Sequence, residues 1–243
     1  MNQKEIIDLL LAEVETLPEE PVKRITYGAH IVAVESRKMG LATWAAGKHP
    51  VSKKDLPAAD KAVSVQELAR LLYDDNPLKS SLGIAALNSL LPDPAPNDIT
   101  DINAGDLIMD LGKGKNVVVI GHFPFVEKMR NSFKDFKVFE KKPQAGDLKA
   151  ELMPEYLPTA DLVAITATTI SNQSLAAILS NCSAAATKLI IGPSTPLTPV
   201  MFKLGFKYVA GSLVKDENMV RMGIENGLAF KQVQGVRHVI LQN

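Results

Sequence analysis

Three short apolar runs in the second half of this 243-residue chain each stop at a polar or glycine-proline segment, and this pattern most restricts the fold. Val117 to Ile120 runs into Gly121-His122-Phe123-Pro124-Phe125, and Leu162 to Ile165 runs into Thr166-Ala167-Thr168-Thr169-Ile170-Ser171-Asn172. Leu189 to Ile191 runs into Gly192-Pro193-Ser194-Thr195-Pro196. Apolar runs without polar alternation mark strands buried on both faces. Helical patterns alternate with them: one from about Phe125 to Phe133, then a strand through Val138, then strands near Leu162, Leu189 and Tyr208, each followed by a helix. Thr198-Pro199 opens one helix, and the helix after Asp216 stops at Asn226-Gly227. Val233 to Leu241 reads as one more strand. Such alternation predicts an α/β fold with a parallel, Rossmann-like sheet and right-handed crossovers. Its ligand crevice lies beyond the carboxyl ends of the strands, where the three polar segments fall.

The first half reads differently. Asn2 and Glu5 form a capping-box pattern ahead of Ile7, Leu10, Leu11 and Val14, which predicts a helix to about Glu15. Between Val22 and Ala46, alternating residues punctuated by Gly28 and Gly40 predict two or three short antiparallel strands. Gly47 to Asp60 reads as a loop. Ser64 with Glu67 forms a second capping box, and a third helix is expected from Ser80 or Ser81 to Leu91. Pro92, Pro94 and Pro96 cannot continue that helix and make the segment a linker or hinge. A short helix from Asn103 to Leu111, stopped by Gly112, leads onward. The expected division is a smaller α+β domain over residues 1–97 and a Rossmann-like domain over 98–243.

Lys plus Arg equals Asp plus Glu at 27 each, so there is no net basic charge of the kind that nucleic acid binding favours. A neutral chain has little self-repulsion, which leaves homo-oligomers open. Cys182 stands alone, so no intrachain disulfide forms, as in a reducing cytoplasm. Met1 to Leu11 carries Glu5 and Asp8 and lacks a signal-peptide pattern, and no apolar run is long enough to span a bilayer. A cytoplasmic protein without nucleic acid or membrane partners is expected.

Candidate chemistry concentrates on the three segments. His122, at a strand's carboxyl end, can act as general base, proton donor or metal ligand, or make a hydrogen bond at a domain interface. Gly121 is the only glycine of a dinucleotide turn present there, and Phe123 flanks the same loop. Glu140 follows about 20 residues later, where an acidic residue would meet a ribose. Gly112-Lys113-Gly114-Lys115 precedes its strand and lacks the phosphate-loop spacing, so it reads as a solvated turn. Thr168, Thr169, Ser171 and Asn172 crowd a helix start, which is an anion cradle or a simple cap. Gly192, Ser194 and Thr195 lie on a stiff turn beside Pro193 and Pro196, without a nucleophile-elbow pattern. Asn88 falls on the apolar face made by Ile84, Leu87 and Leu91, to bond a backbone group or face the crevice. One cysteine and four scattered histidines supply no soft-metal cluster, so the metal is unknown, although His122, Glu140 and Asp216 could converge around a divalent ion.

Ser81-Leu82-Gly83-Ile84-Ala85-Ala86-Leu87-Asn88, Gly121-His122-Phe123-Pro124-Phe125, Thr168-Thr169-Ile170-Ser171-Asn172 and Gly192-Pro193-Ser194-Thr195-Pro196-Leu197 together resemble the DUF364 family. That family is described as a heavy-metal chelation domain with an amino-terminal DUF4213 partner, and the resemblance covers nearly the whole chain. It implies an amino-terminal domain similar to the small lobe of enolase, a Rossmann-like domain, and a site in the cleft between them. The enolase likeness is one of shape, and enolase chemistry is not carried over. The expected function is metal-chelate or small polar, anionic ligand binding in that cleft. Two alternatives are an enzyme acting on a nucleotide-like or S-adenosylmethionine-type ligand, and an assembly protein.

Overall fold

The computed structural model describes residues 1–45 and 64–243, so the loop expected over Gly47 to Asp60 lies outside the described residues. The first lobe begins with α1 (Gln3–Glu15), and its Asn2/Glu5 capping box is complete. Three strands follow as an antiparallel meander: β1 (Arg24–Tyr27), β2 (Ile31–Glu35) and β3 (Met39–Thr43). α2 (Val65–Ala69) is capped by the Ser64 hydroxyl and runs into a 3-10 turn, Arg70–Tyr73. α3 spans Pro77–Leu90 and starts earlier than Ser80, because Asn76 accepts from the Leu78 amide and Pro77 occupies a favoured first-turn position. α3 is central to its lobe, which explains its small residues. Ser80, Ser81, Gly83, Ala85, Ala86 and Ser89 are all buried, with the β2–β3 hairpin and the 70–73 turn packed against it. A helix enclosed on all sides needs no polar face.

After the prolines, a 3-10 turn (Pro96–Asp98) leads to β4 (Ile99–Thr100) and α4 (Ala104–Leu111), the latter capped by Asn103 and ended by Gly112. The second lobe continues with β5 (Asn116–Ile120), α5 (Val126–Met129), β6 (Asp135–Glu140), β7 (Leu148–Lys149), α6 (Met153–Tyr156) and β8 (Leu162–Thr166). Then come α7 (Thr168–Ser171), α8 (Leu175–Asn181), β9 (Thr187–Ile191), α9 (Val200–Lys203), β10 (Tyr208–Val214), α10 (Glu217–Glu225) and β11 (Val236–Gln242). α5 is one turn, shorter than the expected Phe125 to Phe133 helix. The chain leaves it where the Ser132 amide bonds the Met129 carbonyl and the Arg130 side chain is drawn to the carbonyls of Ala145 and Gly146.

The eight-stranded sheet has the order β4-β11-β10-β9-β8-β5-β6-β7. Strands β5 to β10 are parallel, while β11 and β4 close one edge antiparallel. Counted from β5, the parallel strands stand in the doubly wound order 3-2-1-4-5-6, which reverses direction between β5 and β8. Side chains alternate between two cores. Val117, Val119, Leu162, Ala164, Leu189 and Ile191 face one core with Ile108, Val126 and Met129. Val118, Ile120, Val163, Ile165 and Ile190 face the other, and that core continues without a break into Ile6, Leu10, Leu72, Leu82 and Leu87 of the first lobe. The fold is thus mixed α/β, a largely parallel sheet with a small antiparallel lobe packed on one face. Among the described residues no helix is long and apolar enough to cross a membrane.

Polar bonds stitch the same seam. Gln3 accepts from the Ala176 amide (3.0 Å) and donates to the Ile170 carbonyl (3.3 Å). Thr198 donates to Glu13 (2.7 Å), and the Arg221 guanidinium lies 2.9 Å from Glu35 with both side chains mostly buried. The Thr43 amide donates to Ser194 Oγ at 2.8 Å, and Ser194 is buried. Ser194→Ala leaves that amide without its acceptor. We expect a loss of about 1–3 kcal/mol in urea unfolding, the usual cost of an orphaned buried donor; an unchanged midpoint would remove the clamp.

Candidate functional site

Between the carboxyl ends of β5 and β8, where the strand order reverses, the sheet and the first lobe enclose a cleft of about 430 Å³. Gly121 ends β5 with φ 101°, and its amide bonds the Phe139 carbonyl at 2.9 Å. A Cβ there would stand 3.0 Å from the Thr166 side chain, so glycine lets the two strand ends approach. The next residue, His122, enters the cleft with its backbone amide held by Glu140 Oε2 at 3.2 Å.

The imidazole is fixed from behind. His122 Nδ1 donates to Asp147 Oδ2 at 2.8 Å, and the Asp147 side chain has 0% exposure. The same carboxylate accepts from the Gln144 amide (3.0 Å) and from Arg130 Nη2 (3.2 Å). Arg130 forks onto Glu127 at 2.7 and 2.9 Å and also donates to the carbonyls of Ala145 and Gly146. Gly146 has φ 84° and no Cβ, and a Cβ would stand 2.9 Å from that guanidinium. Burial opposes the Asp147 charge, but the Gln144 amide, His122 and Arg130 together outweigh it and hold the carboxyl below its ordinary value. The Arg130 hydrogen bond likewise lowers Glu127.

Nδ1 being the donor to a carboxylate, the neutral ring carries its lone pair on Nε2. Nε2 lies 3.8 Å from Glu127 Oε1, too far for a hydrogen bond. Asp147 thus fixes the tautomer and the orientation of the ring.

Of the residues expected from sequence, Gly121, His122, Phe123, Glu140, Thr168, Thr169 and Asn172 line this cleft together. Several are occupied by their own loops. Glu140 accepts from the amides of His122 and Lys141, so its carboxylate staples two strand ends and is not free to meet a ribose. Thr169 donates to the Thr166 carbonyl, and the Thr166 and Thr168 hydroxyls are 3.0 Å apart. Asn172 Oδ1 accepts from Ser174, which leaves the amide nitrogen as donor. Thr168, Thr169 and Ser171 lie within the one-turn α7, and the longer helix starts only at Leu175, beyond Gln173 at φ 62°. Asn88 and Thr195 line a second, smaller hollow. Ser194 serves as the interlobe clamp, and Gly192, at φ 125°, turns the chain out of β9.

Asp147, Arg130, Lys141, Lys142 and Trp44 were not foreseen. Glu127 and Arg130, three residues apart, are a visible pair in the sequence, but nothing local ties Asp147 to His122, 25 residues away. Trp44 and Phe123 give the cleft apolar walls, while Lys141 and Lys142 stand exposed at its edge.

A chelating metal site does not fit these donors. Among the described residues no group of three His, Cys, Asp or Glu side chains is placed to hold a metal ion. The carboxylates around His122 are spent on Arg130 and backbone amides. Asp216 caps α10 by accepting from the Met219 amide. Burial pushes the Cys182 thiol up to about 11, so it is no thiolate ligand near neutral pH.

The DUF364 family model, described as "Putative heavy-metal chelation", matches residues 103–241, and DUF4213, with the same description, matches residues 7–91. An uncharacterized protein of Methanocaldococcus jannaschii is 26% identical over 159 residues; the match takes in 63% of this chain and 61% of that protein, so the chain spans less than two thirds of its relative. A crystal structure of a DUF364-family protein of unknown function from Desulfitobacterium hafniense DCB-2 superposes with TM-score 0.86 at 23% identity, covering 98% of both chains. Another from Pyrococcus horikoshii gives 0.83 at 19%, covering 98% of this chain and 100% of that one. These structures share the fold.

Proposed function

The chain belongs to the DUF364 family, and we propose that it binds a small organic anion in the interlobe cleft, with His122 Nε2 as the hydrogen-bonding and proton-accepting contact. The observation that carries this reading is the imidazole backed by a buried carboxylate in a cleft of about 430 Å³. That volume falls in the range of roughly 300–1,000 Å³ usual for small-molecule sites. The cleft also lies at the strand-order switch, where open α/β sheets bind ligands. Lys141 and Lys142 have no carboxylate partner among the described residues and supply the attraction for an anion. Trp44 and Phe123 receive the ligand's apolar part, and the Asn172 amide offers a donor. An anion with several oxygens is itself a chelator, so this reading accommodates the family description without a protein-built metal cluster.

Thermal unfolding with citrate, inorganic phosphate and phenyl phosphate, against chloride at equal ionic strength, tests it. A ligand at a hundred times its Kd stabilises by about 2.7 kcal/mol. We expect at least one organic anion to raise Tm, and the increment to vanish in Lys141→Glu/Lys142→Glu while the unliganded Tm stays put. A flat response to all three anions, or an increment unaffected by the double reversal, overturns the reading.

A further inference from the structure

His122 and the two lysines of the interlobe cleft ask for different groups on a ligand. Nδ1 is taken by the buried Asp147 carboxylate at 2.8 Å, so the ring nitrogen left to a ligand is Nε2, which in this tautomer is an acceptor. Glu127 Oε1 lies 3.8 Å from it. A ligand carboxylate set against Nε2 would meet a lone pair and a second negative charge, whereas a hydroxyl there donates a hydrogen bond. The ligand's charge therefore belongs elsewhere, and Lys141 and Lys142 are the cations on the lining.

A phosphate group is a poor match for the polar end. α7 is a single turn, the Thr169 hydroxyl donates to the Thr166 carbonyl, and the Thr168 amide donates to Thr166 Oγ1 at 3.4 Å. That loop offers no row of free amides of the kind that cradles a phosphate at a helix start. A carboxylate needs no such cradle.

The lining also carries three aromatic side chains, Trp44 from the first lobe and Phe123 and Phe139 from the second. Trp44 is 4% exposed, and its indole N–H is spent on the Gly28 carbonyl at 2.8 Å. Phe123 is stacked on Phe125, with centroids 5.2 Å apart and planes 6° from parallel. Fixed rings without a free donor receive a flat apolar body better than a sugar.

We propose that the ligand is a hydroxyaryl carboxylate: its carboxylate pairs with Lys141 and Lys142, its ring lies among Trp44, Phe123 and Phe139, and its hydroxyl donates to His122 Nε2. This rests on the anion reading and narrows it to one class of ligand. The cleft, at about 430 Å³, admits a ring with further substituents.

Calorimetric titration of the full chain with acetate, benzoate, the three hydroxybenzoate isomers and their methoxy analogues is the test. Benzoate should bind at least about tenfold tighter than acetate, because the ring adds apolar burial. One hydroxybenzoate isomer should bind at least about tenfold tighter than both benzoate and its own methoxy analogue, because capping the hydroxyl leaves Nε2 without a donor. His122→Phe should erase that hydroxyl preference; if the variant does not fold, the wild-type comparison decides alone. Equal affinity within every hydroxy and methoxy pair overturns the inference, as does a preference that survives in His122→Phe. If citrate or phenyl phosphate stabilises the protein while no benzoate binds, this inference falls and the anion reading stands. If every anion is inert, both fall.

Discussion

Alanine in place of Gly40 is expected to destabilise the fold severely. A Cβ at this position of β3 would stand 2.2 Å from the Ala85 carbonyl oxygen, 2.3 Å from the Ser89 nitrogen and 2.7 Å from the Asn88 carbonyl carbon. All three are backbone atoms of α3, so no rotamer change relieves the collision. The helix cannot retreat either, because on another side Gly83 faces the 70–73 turn, where a Cβ would be 2.6 Å from the Leu72 nitrogen. Ordinary overpacking costs about 1–3 kcal/mol, and a backbone-on-backbone clash should exceed that. At about 2–4 °C per kcal/mol for a chain of this size, Tm falls by about 10 °C or more, or soluble protein is lost. Gly114→Ala is the control: its φ is 69° and nothing lies within 4 Å, so only the strain of roughly 1–2 kcal/mol applies. Circular dichroism melts of the two variants decide the matter, and a Gly40→Ala protein that melts with wild type would show that β3 does not lie on α3.

Asp147→Ala is expected to cost both stability and binding. The carboxylate takes bonds from His122, Arg130 and the Gln144 amide, so its removal strands three donors at once. Hydrogen bonds to charged groups contribute about 1.5–3 kcal/mol, and we expect a loss near the upper end. With nothing fixing the ring, the Nε2 contact to the ligand is lost, and affinity for the stabilising anion should drop at least about tenfold, equivalent to about 1.4 kcal/mol. Asp147→Asn keeps the volume and separates shape from charge. The pH dependence has a definite sign. The folded carboxyl is held below 3.8, so in the acid range the unfolded chain binds more protons, and stability falls as pH drops. The contribution is fully present above the unfolded value near 4 and is lost as pH falls through the folded one. Urea midpoints of wild type and Asp147→Asn should therefore differ most at neutral pH and converge below about pH 4. A gap that stays constant down to pH 3 would mean the Asp147 charge is not what the fold uses.

Local signals carried most of the architecture. The Asn2/Glu5 box, the hydroxyl of Ser64, the Asn103 and Asp216 caps and the uninterrupted Val117 to Ile120 run each act within a few residues, and each appears where the sequence implies it. The order of the strands is a matter of distant pairing, and no single run announces that β5 lies between β6 and β8. For the same reason part of the site was legible and part was not. Gly121, His122, Thr168 and Asn172 converge because strand ends share a rim. Asp147 reaches His122 through a tight loop whose path depends on Gly146 and on the Arg130 guanidinium above it. Thr195 follows Ser194 in sequence yet lines a hollow while the Ser194 hydroxyl meets the Thr43 amide, since consecutive residues of a turn need not share a side.

The apolar core that passes from Leu10 and Leu87 through to Val163 and Ile190 has a consequence for heredity as much as for folding. Cut at the prolines, the carboxyl-terminal piece would bare a greasy sheet face to water, and the amino-terminal piece would lose the surface its helices rest upon. Neither half is a transferable module. Gene fusion or shuffling that moved one without the other would yield sticky fragments, which is a physical reason for the two segments to travel as a pair.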